Sequence, residues 1–409
     1  MAGVECIRTL VAVLTAQCNL RCGYCYQNAK NPRSMPWETL RASIDLILHS
    51  RSKNVYLYFT GGEPLLEFAM LRRAVEYVEA NRPAEKQVNY GITTNGTLLS
   101  RDTASFLENH LFDVQLSFDG VADAQDRRAP GTFALLDSLL DRLRDAHADF
   151  FRHNVTVGIT ITPSTIVHLP VSVDYFLGKG AEKISVSPSL VWDPAWRTER
   201  IAELDAAFAR VFDSSMRHLR TASKVPVLAF RNHGASMCHE EGRPMCGIVQ
   251  GHGMAVDVDG HAYGCATIAG SYQRVASPFM RDTLESMRMG SIHDHAFAER
   301  YASFPEAARR AGMFDRKERK YSAYRRCAEC DAFTACSVCP VCIGSMPGNT
   351  DPDRMNDFCC AVSLASLKYR EHFPRERGPD DLRAAWAELA ATKRRWEALA
   401  EASKAARLA

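Results

Sequence analysis

The chain has 409 residues, of which 46% are hydrophobic and 24% charged, the proportions of a globular protein rather than a disordered or fibrous one. A formal charge of +2 gives no reason to expect nucleic acid, and no run approaches the ~20 apolar residues that cross a bilayer, so no membrane is expected either. The count that stands out is 14 cysteines.

The first apolar run, Val11–Leu14, follows Glu5 and Arg8 and has no small-residue cleavage site after it, so it reads as a buried strand and not a signal core. The expected compartment is therefore the cytoplasm, where disulfides are rare and clustered thiols hold metals. From residue 8 to about 190, strand patterns at Leu10–Thr15, Val55–Thr60, Val88–Thr94, Val114–Phe118, Val155–Thr162 and Lys183–Val186 alternate with helical ones. The helical patterns include Trp37–His49, Met70–Asn81, Thr132–Ala146 and Val171–Gly178. Repeated βα units predict an α/β fold with a parallel sheet. Six units are too few for a closed eight-stranded barrel, so a partial (β/α)6 barrel is expected, with its chemistry at the C-terminal ends of the strands. TAQCNLRC, TGGEP, TTNG and SFDG each fall where a strand runs out.

Four segments follow from this reading: a barrel over 1–195, a linking helical segment over 196–235, a cysteine-rich domain over 236–375 and a C-terminal helix over 376–409. The linker carries Leu204, Phe208 and Phe212 on one side. Within the third segment, MAVDVDGHAYGC alternates around Asp259-Gly260, a hairpin signal. Arg309 to Arg326 holds eight Lys or Arg, which reads as a solvated face or a peptide- or nucleic-acid-binding surface. The tail places Leu382, Trp386, Leu389, Trp396 and Leu399 at near-heptad spacing.

The cysteines divide unevenly. Cys6, Cys18, Cys22 and Cys25 lie near the start, and the other ten fall between Cys238 and Cys360. Cys18, Cys22 and Cys25 form a Cys-x3-Cys-x2-Cys loop that can hold three irons of a four-iron cluster and leave the fourth open. The alternative is a zinc knot completed by a distant ligand, since closed zinc sites are structural.

This loop, with Tyr24 just before its third cysteine and Gly61–Pro64 ending the second strand, resembles the radical S-adenosylmethionine (SAM) enzymes. The resemblance spans residues 8 to about 190. It implies that SAM chelates the open iron and is cleaved reductively to a 5′-deoxyadenosyl radical that abstracts hydrogen from substrate. It also implies that Gly62 lets the backbone approach the methionine moiety and that Glu63 accepts from its ammonium. Asn95 is a site or turn residue, Ser117 would contact SAM, and Arg128, with Arg127 adjacent, would meet the SAM carboxylate. Leu190 would touch adenine or fill the core.

The later cysteines resemble the SPASM extension of that family, a cysteine-rich region with a hairpin and short helices that holds two auxiliary 4Fe–4S clusters. By that resemblance Cys238, Cys246 and Cys265, with Cys339 or Cys342, would hold one. Cys327, Cys330 and Cys336, with Cys359 or Cys360, would hold the other. Pro340 stands where the family usually has a C-x3-C spacing. Enzymes of this type mostly modify peptides, so the expected function is a radical SAM maturase of a ribosomally made precursor peptide. It would install a thioether, carbon–carbon or similar oxidised linkage. An electron donor such as flavodoxin or ferredoxin and a separate leader-binding protein are the implied partners. Alternatives are sulfatase-maturase-like oxidation of a protein side chain, against which Ala266 replaces the usual Asp after the hairpin cysteine, and a non-catalytic zinc or iron–sulfur protein. His252, His261 and Asp257 flank the hairpin and read as structural; no catalytic base is assigned.

Overall fold

In the computed structural model the described residues are 7–27, 29–231, 239–240, 243–244, 252–272, 285, 287–310, 319–333, 335–336, 351 and 353–374. Cys6, Cys238, Cys246, Cys339, Cys342, Pro340, most of the basic segment and the tail from Asp380 lie outside them.

The strands β1 (Thr9–Thr15), β2 (Asn54–Gly61), β3 (Gln87–Thr94), β4 (Asp113–Ser117), β5 (Val155–Ile161) and β6 (Ile184–Pro188) are all parallel and neighbour one another in chain order. Between them run α1 (Trp37–Leu48), α2 (Phe68–Asn81), α3 (Arg101–Asn109), α4 (Ala122–Arg128), α5 (Phe133–Ala146), α6 (Ala148–Asn154) and α7 (Leu169–Gly178). The six predicted strands and four predicted helices form within a residue or two of their expected ends. Three short helices, α3, α4 and α6, carry too few periodic apolar residues to be read from sequence. Caps still mark some of them: the Ser100 hydroxyl accepts from the Thr103 amide at 3.1 Å to start α3.

Alternation on the strands decides which face the helices cover. Leu10, Ala12 and Leu14 on β1 and Val55, Leu57 and Phe59 on β2 are buried in one core with Leu40, Ile44 and Ile47 of α1. Each such aliphatic side chain contributes about 1.5–3 kcal/mol on burial. The intervening residues of β2 to β6 are mostly polar, whereas on β1 they include Val11 and Val13. Tyr58, Gln115, Thr156 and Ser185 surround a cavity of ≈ 380 Å³ near the strand starts, together with Asp113, Lys183 and Arg231.

The helix α8 (Ile201–Ala222) follows β6. Beyond it come a two-residue hairpin, β7 (His239–Glu240) with β8 (Arg243–Pro244), and the predicted hairpin, β9 (Gly253–Val256) with β10 (His261–Tyr263). The second hairpin joins the barrel's own sheet: β9 pairs parallel to β1, β10 continues antiparallel, and β11 (Arg288–Ser291) closes the edge of a nine-stranded sheet. The C-terminal helix Asp357–Arg370 is likewise welded to the first half. Phe358, Ala361, Val362, Tyr369 and Phe373 share the main core with Leu204, Phe208 and Phe230. No helix among the described residues is long and apolar enough to cross a membrane.

Candidate functional site

Four strand ends converge on the loop Ala16–Gln27. The Gly62 amide donates to the Thr15 carbonyl at 2.8 Å and the Glu63 amide to the Gln17 carbonyl at 2.9 Å, so the GGE turn extends the β1–β2 pairing into the cysteine loop. The approach is closer than any side chain allows. A Cβ on Gly62 would stand 2.1 Å from the Gln17 carbonyl oxygen and 2.9 Å from Cys18 Cβ. Gly61 adopts φ +153° and would clash with the Thr15 carbonyl. Glycine at position 62 is therefore required by the backbone of the cysteine loop itself, apart from any approach of a methionine moiety. The Gln27 amide donates to the Gly61 carbonyl at 2.9 Å and ties down the far end of the same loop.

Glu63 is fully buried. One oxygen accepts from the Leu65 amide at 3.1 Å and the Thr94 hydroxyl at 2.7 Å, and the other from the Asn95 amide at 2.7 Å. Burial pushes its carboxyl up, opposed by these three donors. In this structure Glu63 ties the ends of β2 and β3 together. A carboxylate has room for about four hydrogen bonds, so one further donor can still be accepted.

Asn95 meets the first cysteine. Its side-chain Nδ2 lies 4.0 Å from Cys18 Sγ and donates to Asn19 Oδ1 at 2.9 Å. Cys18 Sγ also accepts from the Leu20 amide at 3.4 Å, and the Cys25 amide donates to the Cys22 carbonyl at 3.1 Å, curling the loop. Burial raises the thiols of Cys18 and Cys22.

The end of β4 supplies a residue that sequence reading missed. Asp119, 1% exposed, accepts from the Tyr24 hydroxyl, from Arg128 Nη2 at 2.7 Å and from the Thr160 amide at 2.8 Å. The guanidinium also sits 5.4 Å from the Tyr24 ring centre and donates to the Thr160 hydroxyl at 3.1 Å. Burial works against the charge on Arg128, yet Asp119 and Tyr24 hold its pKa above the ordinary value. Its Nε is buried without a hydrogen-bond partner. The signal for Asp119 was present in SFDG, but a buried carboxylate next to a turn glycine resembles an ordinary turn residue until its three partners are located. Ser117 ends β4, half-buried, opposite Gly158.

Leu190 takes the core-filling place that was one of its two expected roles. It packs against Met355 and Cys359, because the chain leaving β6 steps onto the helix Asp357–Arg370. The Cys359 thiol donates to the Ser189 carbonyl at 3.6 Å.

Nearby, Cys327, Cys330, Cys336 and Cys360 are half-buried thiols. Asn356 caps the helix, accepting from the Phe358 amide at 2.9 Å, and thereby sets the direction of the adjacent Cys359 and Cys360. Cys360 faces Cys336, Cys327 and Cys330, and burial with these neighbours pushes it up to about 11. Cys359 points into the core, 2% exposed, and burial pushes it up to about 12. Cys265 follows the β10 strand, with its sulfur 3.0 Å from the Thr267 hydroxyl. None of the nine described cysteines is in a disulfide. Among the described residues, no group of three or more His, Cys, Asp or Glu side chains is arranged to hold a single metal ion.

The loop's chemistry fits a cluster with an open iron: reduced thiols in a three-cysteine loop, a turn that only glycine can form beside them, and a buried arginine with one nitrogen unpaired. The fold and the loop together define a partial βα barrel with a three-cysteine loop at its C-terminal mouth. Residues 12–169 match the Radical SAM superfamily model, so that part of the chain is similar to this superfamily of enzymes. An uncharacterized protein of Methanocaldococcus jannaschii is 32% identical over 184 residues, 44% of this chain and 63% of that one. The cysteine-type anaerobic sulfatase-maturating enzyme of Clostridium novyi is 27% identical over 132 residues, 30% of this chain and 35% of that one. The matches thus span from about a third to somewhat under two thirds of these relatives. A solved structure, native anSMEcpe with bound AdoMet and Kp18Cys peptide, shares the fold with a TM-score of 0.67 at 18% identity, covering 88% of this chain and 96% of that one.

Proposed function

We propose that this protein is a radical SAM enzyme that modifies a peptide, most specifically a ribosomally made precursor peptide, by hydrogen abstraction leading to an oxidised linkage. The observation that carries the reading is the cysteine loop clamped by the Gly61–Glu63 turn, with the Arg128 guanidinium buried beside it. Cys18, Cys22 and Cys25 would hold the cluster. Arg128, through its unpaired Nε, suits the SAM carboxylate, while Glu63, Asn95 and Ser117 line the approach. The cofactors supply the reducing electron and the 5′-deoxyadenosyl radical. The chain supplies position: Asp119 and Tyr24 fix Arg128, and Glu63 fixes the strand ends on which the loop rests.

In the C-terminal part, Cys327, Cys330, Cys336 and Cys360 are proposed as the ligands of one auxiliary 4Fe–4S cluster, with Cys359 a core thiol. Cys265, with Cys238, Cys246 and Cys339 or Cys342, is proposed for the other. The fold shared with a structure that binds a peptide supports a peptide substrate. Ala266 starts a short turn directly after Cys265, where the sulfatase maturases carry a carboxylate, and this favours a different peptide chemistry.

The test is anaerobic reconstitution followed by incubation with SAM, dithionite and peptides encoded beside the gene. The expected result is 5′-deoxyadenosine together with a peptide that has lost hydrogen mass. Cleavage of SAM without change in any such peptide, but with formylglycine formed on a sulfatase-derived peptide, would move the protein to the maturase branch.

A further inference from the structure

The described C-terminal thiols are not bare. The Ser322 hydroxyl donates to Cys360 Sγ at 3.3 Å, Arg325 Nη1 donates to Cys330 Sγ at 3.8 Å, and the Ser363 hydroxyl lies 3.4 Å from Cys336 Sγ. Three sulfurs on different segments each have a polar side chain against them, and one of those side chains is a cation. The arrangement is built into the local structure. Ser322 and Arg325 close one turn, in which the Ser322 amide donates to the Arg325 carbonyl at 3.0 Å. Ser363 stands three residues after Cys360 on the helix Asp357–Arg370 and therefore shares its face.

The surroundings of the N-terminal loop differ. Lys30 and Glu63 act on Cys18 with opposite sign, and Arg128 and Lys30 on Cys22 are opposed by Asp119, so positive charge at this loop stands beside two buried carboxylates. Its described donors are the Leu20 amide and the distant Asn95 amide, both on Cys18.

Hydrogen bonds to cluster sulfurs and nearby positive charge favour the reduced, more negative state and so raise the potential. The Ser322 proton can go to the Arg325 carbonyl, 3.4 Å away, or to Cys360; once that sulfur is a thiolate the charged acceptor wins. Asp331, 3.9 Å from Arg325, is fully exposed and Arg325 is 39% exposed, so solvent screens both charges and the effect on Cys330 rests on the 3.8 Å contact itself.

We infer that Arg325, Ser322 and Ser363 are positioning residues that hold the cluster of Cys327, Cys330, Cys336 and Cys360 at a higher reduction potential than the cluster of Cys18, Cys22 and Cys25. The inference rests on the four-thiol assignment proposed above. It makes the C-terminal cluster the more readily reduced of the two.

The experiment is an anaerobic redox titration followed by electron paramagnetic resonance on the reconstituted full chain. Variants are Arg325→Met, Arg325→Lys and Ser322→Ala/Ser363→Ala, with Cys360→Ala to identify the C-terminal signal. In wild type that signal should develop at higher potential than the signal lost in Cys18→Ala/Cys22→Ala/Cys25→Ala. In Arg325→Met its midpoint should move to more negative potential while the N-terminal midpoint stays fixed, and Arg325→Lys should fall between. Iron content unchanged with an unmoved midpoint in Arg325→Met and in the double serine variant would overturn the inference alone. A Cys360→Ala protein that keeps every signal and all its iron would overturn the four-thiol assignment, and the inference with it.

Discussion

Gly62 lies so close to Gln17 that a methyl group on it would sit 2.1 Å from the Gln17 carbonyl oxygen. The neighbour is backbone, so it cannot swing away, and either the GGE turn or the cysteine loop has to move. Gly62→Ala should therefore lose the N-terminal cluster and keep the C-terminal ones. Iron per reconstituted chain should drop by about 4, the content of one four-iron cluster. Iron unchanged from wild type would show that the loop tolerates the displacement.

Asp119 offers a test of the buried ion pair. Asp119→Asn leaves the Arg128 guanidinium, 8% exposed, without its counter-charge. Removing one partner of a buried pair costs about 3–5 kcal/mol, whereas replacing both is far milder. Urea unfolding should show a large loss for Asp119→Asn and partial recovery in Asp119→Asn/Arg128→Met. The double variant should regain stability without regaining SAM affinity. Equal stability of the single and double variants would refute the pairing as the cause.

Adjacent cysteines with opposite surroundings make a clean comparison. Cys360→Ala should remove about 4 irons per chain. Cys359→Ala should keep them and lose only modest stability, because that thiol is buried with Met355, and Leu190 and Cys327 pack against the pair. Iron analysis and thermal melts of the two proteins side by side decide it.

Glu63→Ala should weaken SAM binding in an anaerobic titration. The substitution removes the tie among Leu65, Thr94 and Asn95 and also the acceptor nearest the loop. Unchanged affinity would reduce Glu63 to a strand clamp.

Asp257 gives a pH dependence. It is fully buried in the β9–β10 hairpin, accepts from the Val258 and Ser271 amides at 2.8 and 2.7 Å, and burial raises it above the ordinary 3.8. A carboxyl raised in the folded state contributes stability that is complete below 3.8 and is lost as pH rises through the folded value. The stability gap between apo wild type and Asp257→Asn should therefore be widest near pH 4 and narrow toward neutrality. A gap that widens with pH would reverse the sign of the shift.

The sequence by itself determined the barrel and the cysteine loop. Alternating strands such as Val55–Thr60 bury every second residue against a helix like α1, and that periodicity is local. The Cys18–Cys25 spacing is local too, as is the turn at Asp259-Gly260, where Gly260 has φ +82°. Only the tertiary structure decided the rest. Sequence reading left Cys359 and Cys360 equivalent; the Asn356 cap orients the helix so that one faces three thiols and the other the core. That Gly62 has to clear the Gln17 carbonyl is likewise visible only in the fold. Asp119, Tyr24, Arg128 and Thr160 come from four separate segments, and Leu190 packs against residues more than 160 positions later in the chain. Periodicity and spacing record what neighbours in the chain must do, whereas a buried charge or a paired thiol depends on partners that only packing brings together.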